Sequence, residues 1–88
     1  MKEGDKMNLE KEITKIVSAV VEIPEEEIDV NASFFDDYGM DSLKALEILA
    51  EVENTYHITI NPEKLMKMTS VSEVVKITKE YLSPDSNG

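Results

Sequence analysis

Ser42 is the residue in this sequence whose setting most suggests chemistry. It stands between Asp41 and Leu43, where the loop "FFDDYGM" meets the helical pattern "SLKALEIL". A serine acts as a nucleophile when a general base lies beside it. The single histidine, His57, is 15 positions further on, about 22 Å along a continuous helix, and the sequence has neither cysteine nor a G-x-S-x-G elbow. We therefore expect no catalysis by this chain alone, and interpret His57 as a surface residue near a helix end.

A better role for Ser42 is to accept a phosphate ester from another enzyme. At the start of a helix, such an ester would lie at the positive end of the helix dipole, near unpaired backbone N–H groups. The alternative is that Ser42 is a simple helix cap. Asp41 is the stronger N-cap candidate, and it would leave Ser42 at the first helical position with its side chain outward.

The acidic loop before Ser42 also suggests a cation site. If its glycine is aligned to position six of a calcium-binding EF-hand loop, Phe34 falls at position one and Ala45 at position twelve. Neither side chain can bind calcium. A weaker divalent site formed by Asp36, Asp37 and Asp41 stays open, with a solvated loop as the alternative, and we expect no resident metal.

The charge of the chain narrows its choice of partners. Its 88 residues include 19 acidic and nine basic side chains, for a net charge of -10. Nucleic acid is not an expected partner, because phosphate binding needs clustered Lys and Arg. A basic protein surface is the natural complement; the alternative is that the acid serves only solubility.

Cysteine usage and hydropathy indicate the compartment. The absence of cysteine excludes a disulfide framework and is compatible with a reducing cytosol. The start "MKEGDKMNLEKEI" has no apolar core of a secretory signal, and no apolar run is long enough to span a bilayer. We expect a cytoplasmic monomer that is not a membrane protein.

The spacing of apolar residues predicts an all-α fold. We expect a small four-helix bundle of three main helices and one short helix, with a long loop between helices one and two. The predicted helices cover 8–22, 42–55, 62–66 and 71–82. The segments 1–7 and 83–88 are polar, and we expect them to be flexible tails around one domain, 8–82. The segment "YHITI" alternates like an edge strand, but without a second strand we interpret it as an extended connector.

Local signals mark the helix ends. Asn8 is a plausible N-cap for the first helix, and Pro24 ends that helix, after which "PEEEI" can form one more turn. Pro62 suits the first position of the short helix. Ser70 and Glu73 form an S-x-x-E capping box for the last helix.

The second helix has two apolar faces on a helical wheel. One has the ordinary spacing of a core face and consists of Ala45, Ile48, Leu49, Val52 and Tyr56. The other is turned away and consists of Leu43, Leu46 and Ala50, with Glu47, Glu51, Glu53 and Asn54 around it. A surface helix of a monomer needs one apolar face, so the extra leucines indicate a docking patch rimmed by acids. The alternative is a larger bundle that covers both faces.

The segment "DDYGMDSLKALEIL" resembles the signature of the acyl carrier proteins, in which Asp-Ser-Leu opens the second helix. The resemblance extends from Leu9 to Leu82 and includes "NASFFDD" before the motif and "NPEKLMKMTSV" after it. It implies that Ser42 carries a 4'-phosphopantetheine arm, transferred from coenzyme A by a separate phosphopantetheinyl transferase. The arm's thiol would hold acyl groups as thioesters for enzymes of fatty-acid or related lipid or polyketide biosynthesis.

The resemblance also implies a partner-facing side on the second helix. The matching positions are Asp41, Leu43, Leu46, Glu47 and Glu53. The implied partners are acyl-loading, elongating and acyl-transferring enzymes with basic docking patches. Lys44 and Asn54 stand where carriers of fatty-acid synthesis often have acids, which makes a specialised carrier plausible.

We expect the core to shelter an acyl chain between the second helix and the short third helix. The predicted lining is Phe34, Ala45, Ile48, Leu49, Val52, Ile60, Leu65, Met68 and Val71. Met66 and Met68 are flexible fillers that could part without stranding polar groups. The alternative is a fully packed core that leaves the chain in solvent.

Other functions stay open on the sequence alone. An unmodified helical adaptor would bind proteins through Leu43 and Leu46 without a prosthetic group. A peptidyl or aryl carrier would use the same arm, but its docking face would usually be less acidic. A self-contained hydrolase would lack a base for Ser42.

Overall fold

The fold is all-helical, as predicted. The computed structural model describes the backbone of residues 2–82 and the side chains of residues 9–82, so the predicted tail at 83–88 lies outside the described residues. The α-helices are α1 (Lys2–Val21), α2 (Phe34–Asp37), α3 (Ser42–Tyr56) and α4 (Val71–Leu82). Two 3-10 helices cover Glu25–Glu27 and Pro62–Lys67. Residues 2–82 contain no strand. Tyr56 of the segment "YHITI" ends α3, and the rest of the segment is a connector, as predicted.

Helix α1 begins at Lys2, six residues before the predicted start at Asn8. Asn8 is therefore not its N-cap; the preceding Lys, Glu and Met residues are good helix formers that extend the helix. Whether residues 1–7 are flexible stays a prediction. The other end is confirmed: Glu22 takes a left-handed conformation (φ 60°) before Pro24, and its N–H donates to the Ser18 carbonyl at 2.8 Å.

The long loop between α1 and α3 is fastened to the start of α4. The Phe34 N–H donates to the Thr69 carbonyl at 2.8 Å, and the Ser72 N–H donates to the Val30 carbonyl at 2.9 Å. Within the loop, the Asp29 N–H donates to the Tyr38 hydroxyl at 2.7 Å. The one-turn helix α2, which the sequence pattern did not predict, therefore lies in a loop with defined contacts.

The core is enclosed by α1, α3 and α4: α1 packs against both α3 and α4, and the second 3-10 helix also packs against both. Its fully buried large side chains are Phe34, Ile13, Ile48, Ile60, Met68, Val17, Val52, Val71, Val74 and Thr78. Phe34 enters the core as expected, whereas Phe35 is 42% exposed. Burial of these apolar side chains is the main favourable contribution to folding.

Polar contacts fix the far end of α3. His57 ends the helix with φ 57°, and its N–H donates to the Glu53 carbonyl. The Asn61 N–H donates to the Tyr81 hydroxyl at 3.0 Å, which ties the connector to α4. The Tyr56 hydroxyl donates to Glu12 Oε1 at 2.6 Å. Burial, together with that carboxylate, raises the pKa of Tyr56 well above its ordinary value.

Candidate functional site at the start of helix α3

Ser42 is the first residue of α3, and its side chain is exposed. Asp41 is the N-cap, as predicted: its Oδ1 accepts a hydrogen bond from the Lys44 N–H at 3.0 Å. Since Asp41 performs the capping, the Ser42 hydroxyl is not needed for it. Among the described residues, no hydrogen-bonding group engages that hydroxyl. The arrangement leaves a free nucleophilic oxygen at the positive end of a 15-residue helix.

Two other serines at helix starts act as caps instead. The Ser33 hydroxyl accepts from the Asp36 N–H at 3.2 Å, at the start of α2. The Ser70 hydroxyl accepts from the Glu73 N–H at 3.3 Å, and Ser70 is only 7% exposed. Of the two hydrogen bonds in the predicted capping box of α4, only this one is present. The Glu73 carboxylate instead lies 3.7 Å from Lys76 Nζ. Ser42 thus differs from both in having its oxygen available.

The turn that delivers the chain to Ser42 depends on Gly39 and Met40. Gly39 has φ +60°, and a Cβ there would meet no atom within 4 Å. The glycine is thus favoured by backbone conformation rather than by lack of space. The buried Met40 side chain is 5% exposed, and its N–H donates to the Phe34 carbonyl at 3.1 Å. This residue therefore anchors the segment just before the site.

The outer face of α3 exposes the leucines that the helical wheel turned outward. Leu43 is 66% exposed and Leu46 is 45% exposed. Asp41 and Glu47 are exposed beside them. We call these four residues the α3 patch. It combines apolar surface with negative charge at the end of the helix that bears Ser42.

Two predictions near this face need correction. Met66, expected as a core filler, is 82% exposed, because its position on the short second 3-10 helix directs it to solvent. Glu53, expected beside the patch, is half-buried, and its Oε2 accepts from the Ile60 N–H at 2.8 Å. Only the fold of the connector brings that N–H to Glu53, so the wheel could not reveal it.

The residues predicted to line an acyl cavity belong to one core. Ala45, Ile48, Leu49 and Val52 form the inward face of α3. Phe34, Ile60, Met68 and Val71 are buried with them, and Leu65 is half-buried at the edge. The structure brings these side chains together; their use by an acyl chain stays a prediction.

The carboxylates of the acidic loop are held apart. Residues 9–82 contain no cluster of three or more His, Cys, Asp or Glu side chains that could hold a metal ion. Asp37 Oδ2 accepts from the Ser33 N–H at 2.8 Å, and Asp41 caps α3. The structure does not bring Asp36, Asp37 and Asp41 together as a cluster of ligating side chains, and two of these carboxylates accept hydrogen bonds from local backbone N–H groups.

Known proteins similar to this chain identify its family. Residues 11–77 match the family described as "Phosphopantetheine attachment site". An acyl carrier protein of Syntrophus aciditrophicus (strain SB) is 37% identical over 73 residues, which cover 83% of this chain and 91% of the relative. The chain belongs to the acyl carrier protein family. A second such protein, from Buchnera aphidicola subsp. Schizaphis graminum (strain Sg), is 38% identical over 68 residues, covering 77% and 86% of the two chains.

A solved structure supports the same fold. One chain in a structure described as the ishigamide ketosynthase/chain length factor superposes with a TM-score of 0.69 at 27% identity. The match covers 84% of this chain and 93% of that one. The two chains therefore share a fold over most of their length.

Membership in the acyl carrier protein family defines the chemistry. These are non-catalytic carriers with a covalently attached 4'-phosphopantetheine group, which carries acyl groups. They interact with a phosphopantetheinyl transferase and with biosynthetic enzymes. The site suits such a group, since one serine oxygen is free at a helix N-terminus. No helix among residues 2–82 combines the length and apolarity needed to cross a membrane.

Proposed function

We propose that Ser42 is the attachment site of the 4'-phosphopantetheine group. The observation that carries this proposal is the exposed, unengaged hydroxyl at the first position of α3, next to a separate cap at Asp41. The first backbone N–H groups of a helix lack partners within the helix, and the helix dipole favours the negative charge that a phosphodiester would bring.

The transferase must supply the base for this modification. The only histidine of the chain, His57, ends α3 on the side away from Ser42. The Ser42 oxygen would form the new ester bond to the phosphorus that bears the pantetheine in coenzyme A, and the pyrophosphate bond of coenzyme A would break. Adenosine 3',5'-bisphosphate would leave with the bridging oxygen, and the serine proton would pass to a group of the transferase. This accounts for an exposed serine that is inert until a partner docks.

The intact mass after incubation with coenzyme A and a promiscuous transferase tests the attachment site. We expect wild type to gain the mass of one arm and Ser42→Ala to gain none. Because the substituted position is exposed, Ser42→Ala should change the free energy of unfolding by less than about 0.5 kcal/mol. Ser33→Ala is the matched control: it should lose a cap and still be modified. Arm mass on Ser42→Ala would overturn the assignment.

We also propose that the α3 patch docks partner enzymes. Leu43 and Leu46 offer an apolar centre, and Asp41 and Glu47 attract basic residues at its rim. These features match the apolar core and polar rim of protein interfaces. We do not include Glu53, because its carboxylate binds the Ile60 N–H.

We propose that the cargo is an acyl intermediate of fatty-acid, related lipid or polyketide biosynthesis. The relatives in two bacteria are acyl carrier proteins, which favours acyl cargo over peptidyl or aryl cargo. Lys44, half-buried on α3, makes the docking side less uniformly negative, as a specialised carrier would require. The intact mass of protein isolated from its native host would report the arm and its cargo together.

The core provides the proposed shelter for that cargo. Apolar side chains of α3 and α4 line this space. The six-residue 3-10 helix Pro62–Lys67 packs against both helices and forms one wall. Such a short element has few bonds to break when it moves. The fully buried Met68 lies just after it and can change rotamer at low cost. An acyl chain could enter by displacing this wall.

Thermal melts of a series of acylated proteins test the shelter. Each sheltered methylene should stabilise the loaded state by up to about 0.8 kcal/mol, less the cost of opening the core. The melting temperature should therefore rise with chain length until the space is full, and Leu49→Trp should shorten the optimum. A melting temperature independent of chain length would show that the chain stays in solvent.

A further inference from the structure

Thr78 has a buried hydroxyl without a hydrogen-bond partner. Thr78 is 0% exposed. Its Oγ1 is the single buried side-chain nitrogen or oxygen atom in residues 9–82 that lacks a hydrogen-bond partner. A helical threonine usually bonds to the carbonyl four residues earlier, as Thr14 does to Glu10 at 2.8 Å. Thr78 does not satisfy itself in this way. An unsatisfied buried hydroxyl destabilises a fold, so its presence needs a reason.

The position of Thr78 on α4 directs it toward the core. On a helical wheel it falls between Val71 and Val74, which are 0% and 1% exposed. The hydroxyl therefore belongs to the centre of the inward face of α4 rather than to its edge. Apart from Thr78 and Ser70, the buried residues are apolar.

An acyl chain that starts at Ser42 would run toward Thr78. The beginning of α4 lies at the Ser42 end of the molecule, because Phe34 bonds to Thr69 and Met40 bonds to Phe34. The end of α4 lies at the far end of α3, where Tyr81 holds Asn61. Thr78 is seven residues beyond the start of α4, about 10 Å along its axis. It therefore lies on the buried face of α4, deep in the core and away from the Ser42 end.

We propose that Thr78 selects acyl chains that bear a neutral oxygen, a hydroxyl or a keto group, at a carbon remote from the thioester. This inference rests on the proposed shelter for the acyl chain. A hydroxyl can donate to a ketone, or donate to and accept from an alcohol. A charged group is disfavoured, because the surrounding side chains offer no counter-charge. A saturated chain leaves Thr78 unpaired, whereas an oxygenated chain pairs it.

Acylated holo-proteins with matched chains test the selection. The arm is loaded with a saturated chain, and with chains of equal length in which one methylene at successive positions is replaced by a keto group. For wild type, the melting temperature should peak at one remote keto position. There it should exceed that of its neighbours by about 4–8 °C, the shift expected for one hydrogen bond in a domain of this size.

Thr78→Val removes the hydroxyl and keeps the shape. This variant should melt higher than wild type when unloaded or loaded with the saturated chain, and it should lose the keto peak. Thr78→Ser should keep the peak. Thr14→Val, at a partly exposed site on α1, is the matched control and should also keep it.

Two results would overturn the inference, and they are distinguishable. If the saturated series shows a rise with chain length but no keto position stands out, shelter holds and selection by Thr78 is wrong. If no chain changes the melting temperature, the chain does not enter the core and both ideas fail. The mass of the loaded protein confirms attachment in either case.

Discussion

Helices α3 and α4 are comparable in length, but they divide their side chains differently. α4 buries Val71, Val74 and Ile77, and its one large exposed apolar residue is Leu82, at the very end. α3 buries a full inward face and still exposes Leu43 and Leu46. The large apolar residues of α4 follow the requirements of the fold alone. α3 meets the same requirements on one side and keeps a second apolar surface that the fold does not use.

Substitutions at neighbouring positions of α3 should separate the two roles most strongly. Ile48→Ala, at a fully buried residue, should lower the free energy of unfolding by about 2–5 kcal/mol. Leu46→Ala should change it by less than about 0.5 kcal/mol but slow modification of Ser42. Chemical denaturation and transferase kinetics measure the two effects. A large loss of stability in Leu46→Ala would remove the distinction between the faces.

Charge reversal on the outer face should affect kinetics rather than stability. Glu47→Lys should slow modification about threefold to tenfold at low ionic strength, since two exposed charges about 4 Å apart interact by ~1 kcal/mol. Added salt should reduce the difference. Glu10→Lys makes the same charge change on α1 and serves as the control. Equal slowing in both variants would show that net charge, not the α3 patch, sets the rate.

The cap of α3 can be tested separately from its charge. Asp41→Asn should keep the cap and the stability within a few tenths of a kcal/mol, yet slow modification because the charge is lost. Asp41→Ala should lose both the cap and the charge, and should lower the free energy of unfolding by about 1 kcal/mol. Thermal melts and transferase rates give the two readouts. If Asp41→Asn were modified at Ser42 as fast as wild type, the charge of Asp41 would have no part in docking.

The smallest effect is expected at the C-terminal end of α3. His57 has a left-handed backbone that favours glycine, so His57→Gly should raise the free energy of unfolding by up to about 1 kcal/mol. Glu22→Gly, at the end of α1, has the same conformation and should behave alike. Neither should change modification. Slower modification of His57→Gly would mean that the two ends of α3 are coupled.

The features that could be predicted from the sequence are those that depend on local residue pattern. The starts of α3 and α4, the Asp41 cap and the burial of Phe34 all follow from residue types at short spacing. The sequence could not predict the role of Glu53, whose partner at Ile60 is brought close by the connector. The outward Met66 and the one-turn helix α2 likewise depend on tertiary contacts. The sequence pattern assigns Thr78 no special role, because only packing shows whether a hydroxyl finds a partner.

Because Pro62–Lys67 is wound as a 3-10 helix, this segment is longer than an α-helix of the same residues would be. Six residues at 2.0 Å per residue span about 12 Å, whereas the same residues wound as an α-helix would span about 9 Å. Rewinding would draw the two ends about 3 Å closer and turn Met66 relative to Leu65 without unfolding a turn. The strain of admitting a bulky cargo could then be absorbed by a change of pitch, while α1, α3 and α4 keep their positions.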